Sequence, residues 1–293
     1  MNIRYLRYFI KVAETLNFTR AAEQLHIAQP ALSIAIKKLE QELDITLFHR
    51  QERKVSLTYE GQVLLEHAHS IMQQIESARL AMDELKGLEK GEVRLGVPSM
   101  MGSYFFPDIL MAFKTRYPSI KLRMVEAGTQ SIRKMLVKGE LDLGVVVNRN
   151  VPDTLATEHL LDSEMVAVVS EAHRFNKLSS VSFKQFFSED LVMFREGYFH
   201  RELADEICQK HQLEAKTAVE TNLLPMILKI VESNHAISPL LELVAQSEHQ
   251  IRSVPFSEPV KLEIVMAWRK NGYLSLADRT FKEFVKERCA KPL

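Results

Sequence analysis

Residues 18–50 read FTRAAEQLHIAQPALSIAIKKLEQELDITLFHR, and the organisation of the chain follows from them. Gln29-Pro30 opens a helix, because proline is tolerated in a first turn where its missing N–H is not needed. From there PALSIAIKKLEQEL spaces Leu32, Ile36, Leu39 and Leu43 by four, three and four, an inward face, with Gln29, Ser33 and Lys37 on the other side. Upstream, Thr19 is expected to cap a short helix, RAAEQL, and His26-Ile27-Ala28 makes the tight connection between the two. Two short helices joined by a small turn form a helix-turn-helix. Outward from this core, Ile3, Leu6, Phe9, Ile10 and Ala13 share one stripe of a first helix over residues 3–14. On the other side LFHR and VSLT flank the polar turn QERK and read as a two-stranded wing.

A helix of this kind fits the major groove of DNA, where its first side chains meet base edges. Gln29 can pair with adenine through two hydrogen bonds, and the Ser33 hydroxyl can donate or accept. Arg50, Arg53 and Lys54 on the wing are expected at phosphates or the minor groove, giving affinity more than sequence choice. With Thr19, Arg20, Pro30 and Lys37 these complete the candidate DNA-contacting set. Charge agrees: residues 1–58 carry nine basic and six acidic side chains, whereas the whole chain has 38 of each. A slightly basic module therefore precedes a slightly acidic one.

The same stretch, followed by VSLTYEG, closely resembles the winged helix-turn-helix of LysR-type transcriptional regulators. The resemblance is carried by Phe18, Ala21-Ala22, Leu25, Gln29-Pro30-Ala31-Leu32-Ser33, Ile36, Leu39-Glu40, Leu43, Leu47-Phe48, Arg50, Leu57-Thr58 and Gly61. There are two departures. Ala28 stands where the family often has Ser or Thr, and Ile34 stands where it often has Arg.

From Tyr59 to Lys86 there is no proline, and Leu64, Ala68, Ile71, Ile75, Ala78, Met82 and Leu85 alternate in steps of four and three. That is the seam of a coiled coil, although a long amphipathic core helix would show a similar pattern. The resemblance implies a linker helix pairing two DNA-binding modules. A homodimer addressing a pseudo-palindromic operator, with half-sites about one helical turn apart, follows from it. The resemblance further implies a homotetramer, as a dimer of dimers, and contact with RNA polymerase.

Gly87 and Gly91 bracket a hinge, after which the rhythm changes. The strand-like runs EVRLGV, IKLRMVEA and LDLGVVV alternate with FFPDILMAFKTRY and SIRKMLVKG, which implies a mostly parallel sheet. EMVAVVS, DLVMFRE, a helix near HRELADEICQKH, TAVE, a helix from Leu223 to Glu232, VKLEIVMAW and LADRTFKEFVKERC make a second set. The expected fold class is thus α+β multidomain: a winged helix-turn-helix over 1–58, a coiled-coil linker helix and hinge over 59–90, and an α/β effector domain over 91–293. The resemblance implies that this last domain is built like a periplasmic binding protein, with subdomain I at 91–162 and 267–293 and subdomain II at 163–266. In such folds ligands bind beyond the carboxyl ends of strands, near helix N-termini that favour anions. Ser99 and Thr129 occupy such positions and lead the candidate effector contacts, unless they merely cap helices. The resemblance adds Met100, Gln130, Val147, Phe194, Thr221 and Ile237 with Ser238. A small-molecule effector, anionic by this chemistry, is the expected ligand.

Other chemistry finds no footing. No G-x-G, G-x-S-x-G or H-E-x-x-H occurs, and His67 and His69 are two apart on a helix and so face different ways. No enzyme activity, cofactor or metal is expected. Two cysteines, Cys208 and Cys289, exclude a disulfide scaffold. No apolar run reaches the ~18 residues of a membrane span, and the charged N-terminus is unlike a signal peptide, so the expected address is the cytoplasm. Two alternatives stay open. One is an oxidant-responsive regulator using the cysteines or Met100-Met101; the other is a small-anion-binding protein with no role on DNA.

Overall fold

In the computed structural model, which describes residues 1–51, 54–85 and 91–289, the chain divides into one unit of Met1–Gly87 and another of Leu88–Leu293. The first contains α1 (Ile3–Thr15), α2 (Phe18–Gln24), α3 (Gln29–Leu43), β1 (Phe48–Gln51), β2 (Lys54–Leu57) and α4 (Tyr59–Leu85). Leu6, Phe9, Leu32, Ile36, Leu39, Leu47 and Phe48 are buried together in its core. The rings of Phe9 and Phe18 lie 5.4 and 5.8 Å from that of Phe48.

The cap of α2 differs from expectation. Asn17, not Thr19, caps it: its extended backbone lets Oδ1 accept from the Arg20 N–H at 3.0 Å. Thr19 lies exposed in the first turn instead. At α3 the expected opening is found, with Pro30 in the first turn and Ala28 at the cap position contributing no side-chain bond. The wing strands are shifted by one residue into the polar run, with Gln51 pairing with Lys54. Arg53 lies outside the described residues, as do the side chains of Arg50 and Lys54.

The joint between wing and long helix is tight. Thr58 Oγ1 donates to the Thr46 carbonyl at 2.7 Å and accepts the Gly61 N–H at 2.9 Å. Gly61 then faces the Leu47 carbonyl so closely that a Cβ would sit 2.3 Å from its oxygen. Along α4 the seam is shared. Ala68 is fully buried, and Leu64 and Ile71 pack against the same core, while Ala78 and Met82 stay exposed. The near part of the stripe thus serves its own unit's core, and the far part faces outward.

The second unit begins with β3 (Glu92–Val97), a wide π-type turn (Met101–Phe105), α5 (Phe106–Arg116), β4 (Lys121–Glu126), α6 (Thr129–Lys138), β5 (Leu143–Val147) and β6 (Leu155–Ser170). A short 3-10 turn (Arg174–Lys177) leads to α7 (Phe183–Phe187), β7 (Leu191–Met193), α8 (Phe199–His211), β8 (Thr217–Glu220) and α9 (Leu224–Glu232). The chain closes with β9 (Ser238–Leu241), α10 (Glu242–Ser247), β10 (Ile251–Val254), β11 (Val260–Arg269) and α11 (Leu276–Cys289). These make a two-lobed α/β domain around a curled sheet of order β10-β6-β11-β5-β3-β4, with β9 also on β6. The sheet is mixed, not mostly parallel. β3 runs parallel to β4 and β5, whereas β6 and β11 pair antiparallel to each other and to all their other neighbours. β6 and β11 stay paired from Val260↔Met165 to Arg269↔Leu155, with one irregularity between Ile264 and Val265, and so tie the lobes together.

Helix α6 is set deep on the sheet. Gly96 and Gly144 are register partners on β3 and β5. A Cβ at Gly144 would lie 2.6 Å from Ile132 Cγ2, and one at Gly96 would lie 2.5 Å from Leu141 Cδ1. This notch fixes the height of α6 and of Thr129 at its start.

At α11, Ser275 and Asp278 bond reciprocally: Ser275 N–H and Oγ both donate to Asp278 Oδ2, and Asp278 N–H donates to Ser275 Oγ. Asp278 is buried, and desolvation, with Asp142 adding repulsion and Arg94 opposing it, pushes its carboxyl up to about 7. A raised carboxyl favours the folded state when protonated, so this contribution is fully present below the ordinary value of 3.8 and is lost progressively as pH rises from there through about 7. Asp278→Asn keeps an acceptor for the cap without the charge. It should match the native protein near pH 3 and exceed it at pH 9 by on the order of a few kcal/mol, read by urea unfolding. Equal stability at both pH values would contradict the burial of an ionising carboxyl.

Candidate DNA interface and effector cleft

On α3, Gln29 Nε2 donates to Ser33 Oγ at 2.9 Å, so the free helix already holds the two side chains in one arrangement. Gln29, Pro30 and Lys37 are exposed and Ser33 half-buried, while Leu32, Ala35, Ile36 and Leu39 face the core. Thr19 and Arg20 are exposed in the first turn of α2. The sequence reading passed over Ile34 as a site residue, yet it stands 57% exposed on the outward face of α3.

In the second unit the lobes meet where α6 faces α8. Gly128, ahead of α6, leaves space for the other lobe's backbone: a Cβ there would be 2.4 Å from the Gly197 oxygen. Gln130 N–H donates to that oxygen at 3.3 Å, and Gly197 itself has φ of +86°, a conformation glycine adopts without strain. Charged pairs reinforce the contact. Arg149 meets Glu206 at 2.7 Å and Arg133 lies 3.6 Å from Glu202. Arg133 also donates to the Arg149 and Asn150 carbonyls. Tyr198 donates to Glu126 at 3.3 Å, and burial together with that carboxylate pushes its hydroxyl up to about 12. At a separate contact Tyr104, on the π-type turn, donates to Glu248, and burial raises its hydroxyl well above the ordinary value.

One gap between the lobes is lined by Thr129, Arg133, Val147, Arg149, Phe199, Glu202 and Glu206, among others, and encloses about 10 Å³. That is room for about one water. At this gap the lobes are closed on each other. Of the sequence candidates it gathers Thr129 and Val147. Thr129 is fully buried and its hydroxyl has no partner among the described residues. Ser99 is half-buried and Gln130 exposed. Met100, Phe194 and Ile237 belong to the packed core, Thr221 accepts the Leu223 N–H, and Ser238 donates to the Val192 carbonyl. Arg133, Arg149, Glu202 and Glu206 were missed. Arg149 was findable, since it follows the carboxyl end of strand LGVVV.

Beside the gap, His200 is buried, stacked 4.8 Å from Phe194, and held neutral by desolvation, which lowers it to about 3. Cys208 and Cys289 are free thiols, and burial pushes both up, with Asp205 adding to the effect at Cys208. Higher thiol values mean less of the thiolate that peroxides attack. Met100 and Met101 are both buried. Among the described residues no group of three His, Cys, Asp or Glu could hold a metal ion, and no helix is long and apolar enough to cross a membrane.

A winged helix-turn-helix, a long helix and a two-lobed domain closing on a cleft define a DNA-binding regulator with an effector-binding domain. Residues 3–62 match the lysR-family bacterial regulatory helix-turn-helix, and residues 86–290 match the LysR substrate binding domain. The chain belongs to the LysR family of transcriptional regulators; it is a transcription factor and not an enzyme. It is 32% identical over 296 residues to the uncharacterized HTH-type transcriptional regulator YwbI of Bacillus subtilis, spanning 100% of this chain and 98% of that one. A single-residue variant of full-length OxyR from Pseudomonas aeruginosa aligns at TM-score 0.73 and 26% identity over 99% and 94% of the two chains. CbnR crystallised with its target DNA shares the fold, with TM-score 0.66 and 21% identity over 99% and 100%.

Proposed function

We propose that this chain is a cytoplasmic, homotetrameric regulator that opens its interlobe cleft to bind a small anionic effector. Gln29, Pro30, Ser33 and Lys37 read a pseudo-palindromic operator; Thr19, Arg20, Arg50, Arg53 and Lys54 hold its backbone. Pairing along the exposed end of the α4 stripe makes the dimer, and two dimers assemble on the promoter and touch RNA polymerase. The observation that carries the effector reading is the buried, partnerless Thr129 hydroxyl in a gap flanked by Arg133 and Arg149. A burial of that kind costs about 1–3 kcal/mol unless the hydroxyl gains a partner. An anion would take the two guanidinium groups from Glu202 and Glu206. Because the closed gap has no room for it, it binds an open arrangement better and shifts the population toward it.

A thermal-shift screen of small carboxylates and phosphates against the full chain tests this. At 100 times its dissociation constant, an effector stabilises by about 2.7 kcal/mol. If no anion at millimolar concentration raises the unfolding temperature, the anionic reading is wrong. For the DNA face, Gln29→Ala should lower discrimination between operator and random DNA by about ten- to a hundredfold while weak general binding survives. An unchanged ratio in competition binding would remove α3 from the groove.

A further inference from the structure

Helix α3 turns about 100° per residue, so its buried residues Leu32, Ala35, Ile36 and Leu39 fix which side chains point directly away from the core. Those are Pro30, Ile34, Lys37 and Gln41, with Gln29 and Ser33 on one flank. Ile34 is therefore closer to the middle of the outward face than Gln29 is. It is a large β-branched side chain, 57% exposed, and it lies between Pro30 and Lys37. Local folding does not call for it: isoleucine is a weaker helix former than alanine, lysine or arginine at an exposed position, and more than half of it is exposed.

We infer that Ile34 is a specificity residue that packs on the C5-methyl group of a thymine in the major groove. The inference rests on reading α3 as the recognition helix. The major groove offers one apolar feature, the thymine methyl, and an aliphatic side chain is the partner it suits. Gln29, held by Ser33, supplies hydrogen bonds to a neighbouring base pair, so polar and apolar readout sit side by side on one helix turn. An arginine at position 34 would instead favour guanine, through O6 and N7. The operator of this chain is accordingly specified by a thymine where an arginine-bearing relative would specify guanine.

The test uses the full-length protein and an operator obtained by selection from random duplexes. Each thymine is replaced in turn by deoxyuridine, which removes the methyl and leaves every hydrogen-bonding group. One substitution in a single half-site should weaken binding about fourfold, and the symmetric pair about fifteenfold. Ile34→Ala should bind the thymine and deoxyuridine operators alike, and Ile34→Arg should select guanine at that step. Both variants keep the buried face of α3, and their circular dichroism should match the native protein. If no deoxyuridine weakens native binding, or if Ile34→Ala retains the full methyl dependence, the inference is overturned. Gln29→Ala in the same assay separates the two levels. Lost discrimination with no methyl dependence defeats only the role of Ile34, whereas unchanged discrimination defeats the recognition helix itself.

Discussion

Gly61→Val is expected to weaken operator binding at least about tenfold while leaving the second unit folded. Gly61 sits in the first turn of α4, and any Cβ there would lie 2.3 Å from the Leu47 oxygen and 2.9 Å from Leu57 Cδ2. The oxygen cannot yield cheaply, because it accepts the Thr58 N–H at 3.0 Å. Moving it would break that bond or tilt the wing, and the branched valine adds further volume between wing and helix. Overpacking of a well-ordered core costs about 1–3 kcal/mol, and a clash with backbone belongs at or above the upper end. A domain of this size has only about 5 kcal/mol to lose. Calorimetry should therefore show an early transition for the first unit, the transition of the second unchanged, and operator affinity lowered at least about tenfold. Native affinity and a native first transition in Gly61→Val would mean that the close approach to Leu47 is wrong.

Thr129→Val should separate stability from signalling. The hydroxyl is fully buried and without a partner among the described residues, so exchanging it for a methyl of similar shape removes a desolvated polar group. The unliganded protein should gain about 1–3 kcal/mol, seen as a later unfolding transition. The same exchange deletes the acceptor and donor that the effector is proposed to use, so the response to effector should disappear while operator binding persists. Pairing it with Ser99→Ala removes the second hydroxyl ahead of the π-type turn. A variant that is both destabilised and still responsive would show that the Thr129 hydroxyl is satisfied in some other way.

Local signals made the first unit readable. Pro30 at the helix start, the four-three-four spacing of Leu32, Ile36, Leu39 and Leu43, and the polar turn of the wing each depend on neighbours in sequence. The cap at Asn17 was missed because Thr19 is also a capping residue type two positions on; the extended backbone at 17 decides between them. In the second unit the individual strands were visible, but their direction was not. An antiparallel arrangement of β6 and β11 joins residues about a hundred apart, and nothing in either strand announces its partner. β9 and β10 are four residues each, too short for a period to show. The cleft was half legible for the same reason. Thr129 follows from the rule about strand ends and Val147 from the family resemblance, whereas Glu202 and Glu206 are ordinary surface glutamates until α8 is folded against α6.

The tie between the lobes has a mechanical consequence. Two antiparallel strands bonded edge to edge along ten residues make a leaf spring, stiff against shear and twist but able to flex where Ile264 and Val265 break the ladder. The opening proposed for effector binding would have to bend that blade, and loss of the effector would then let it recoil to the shut position without any further cue.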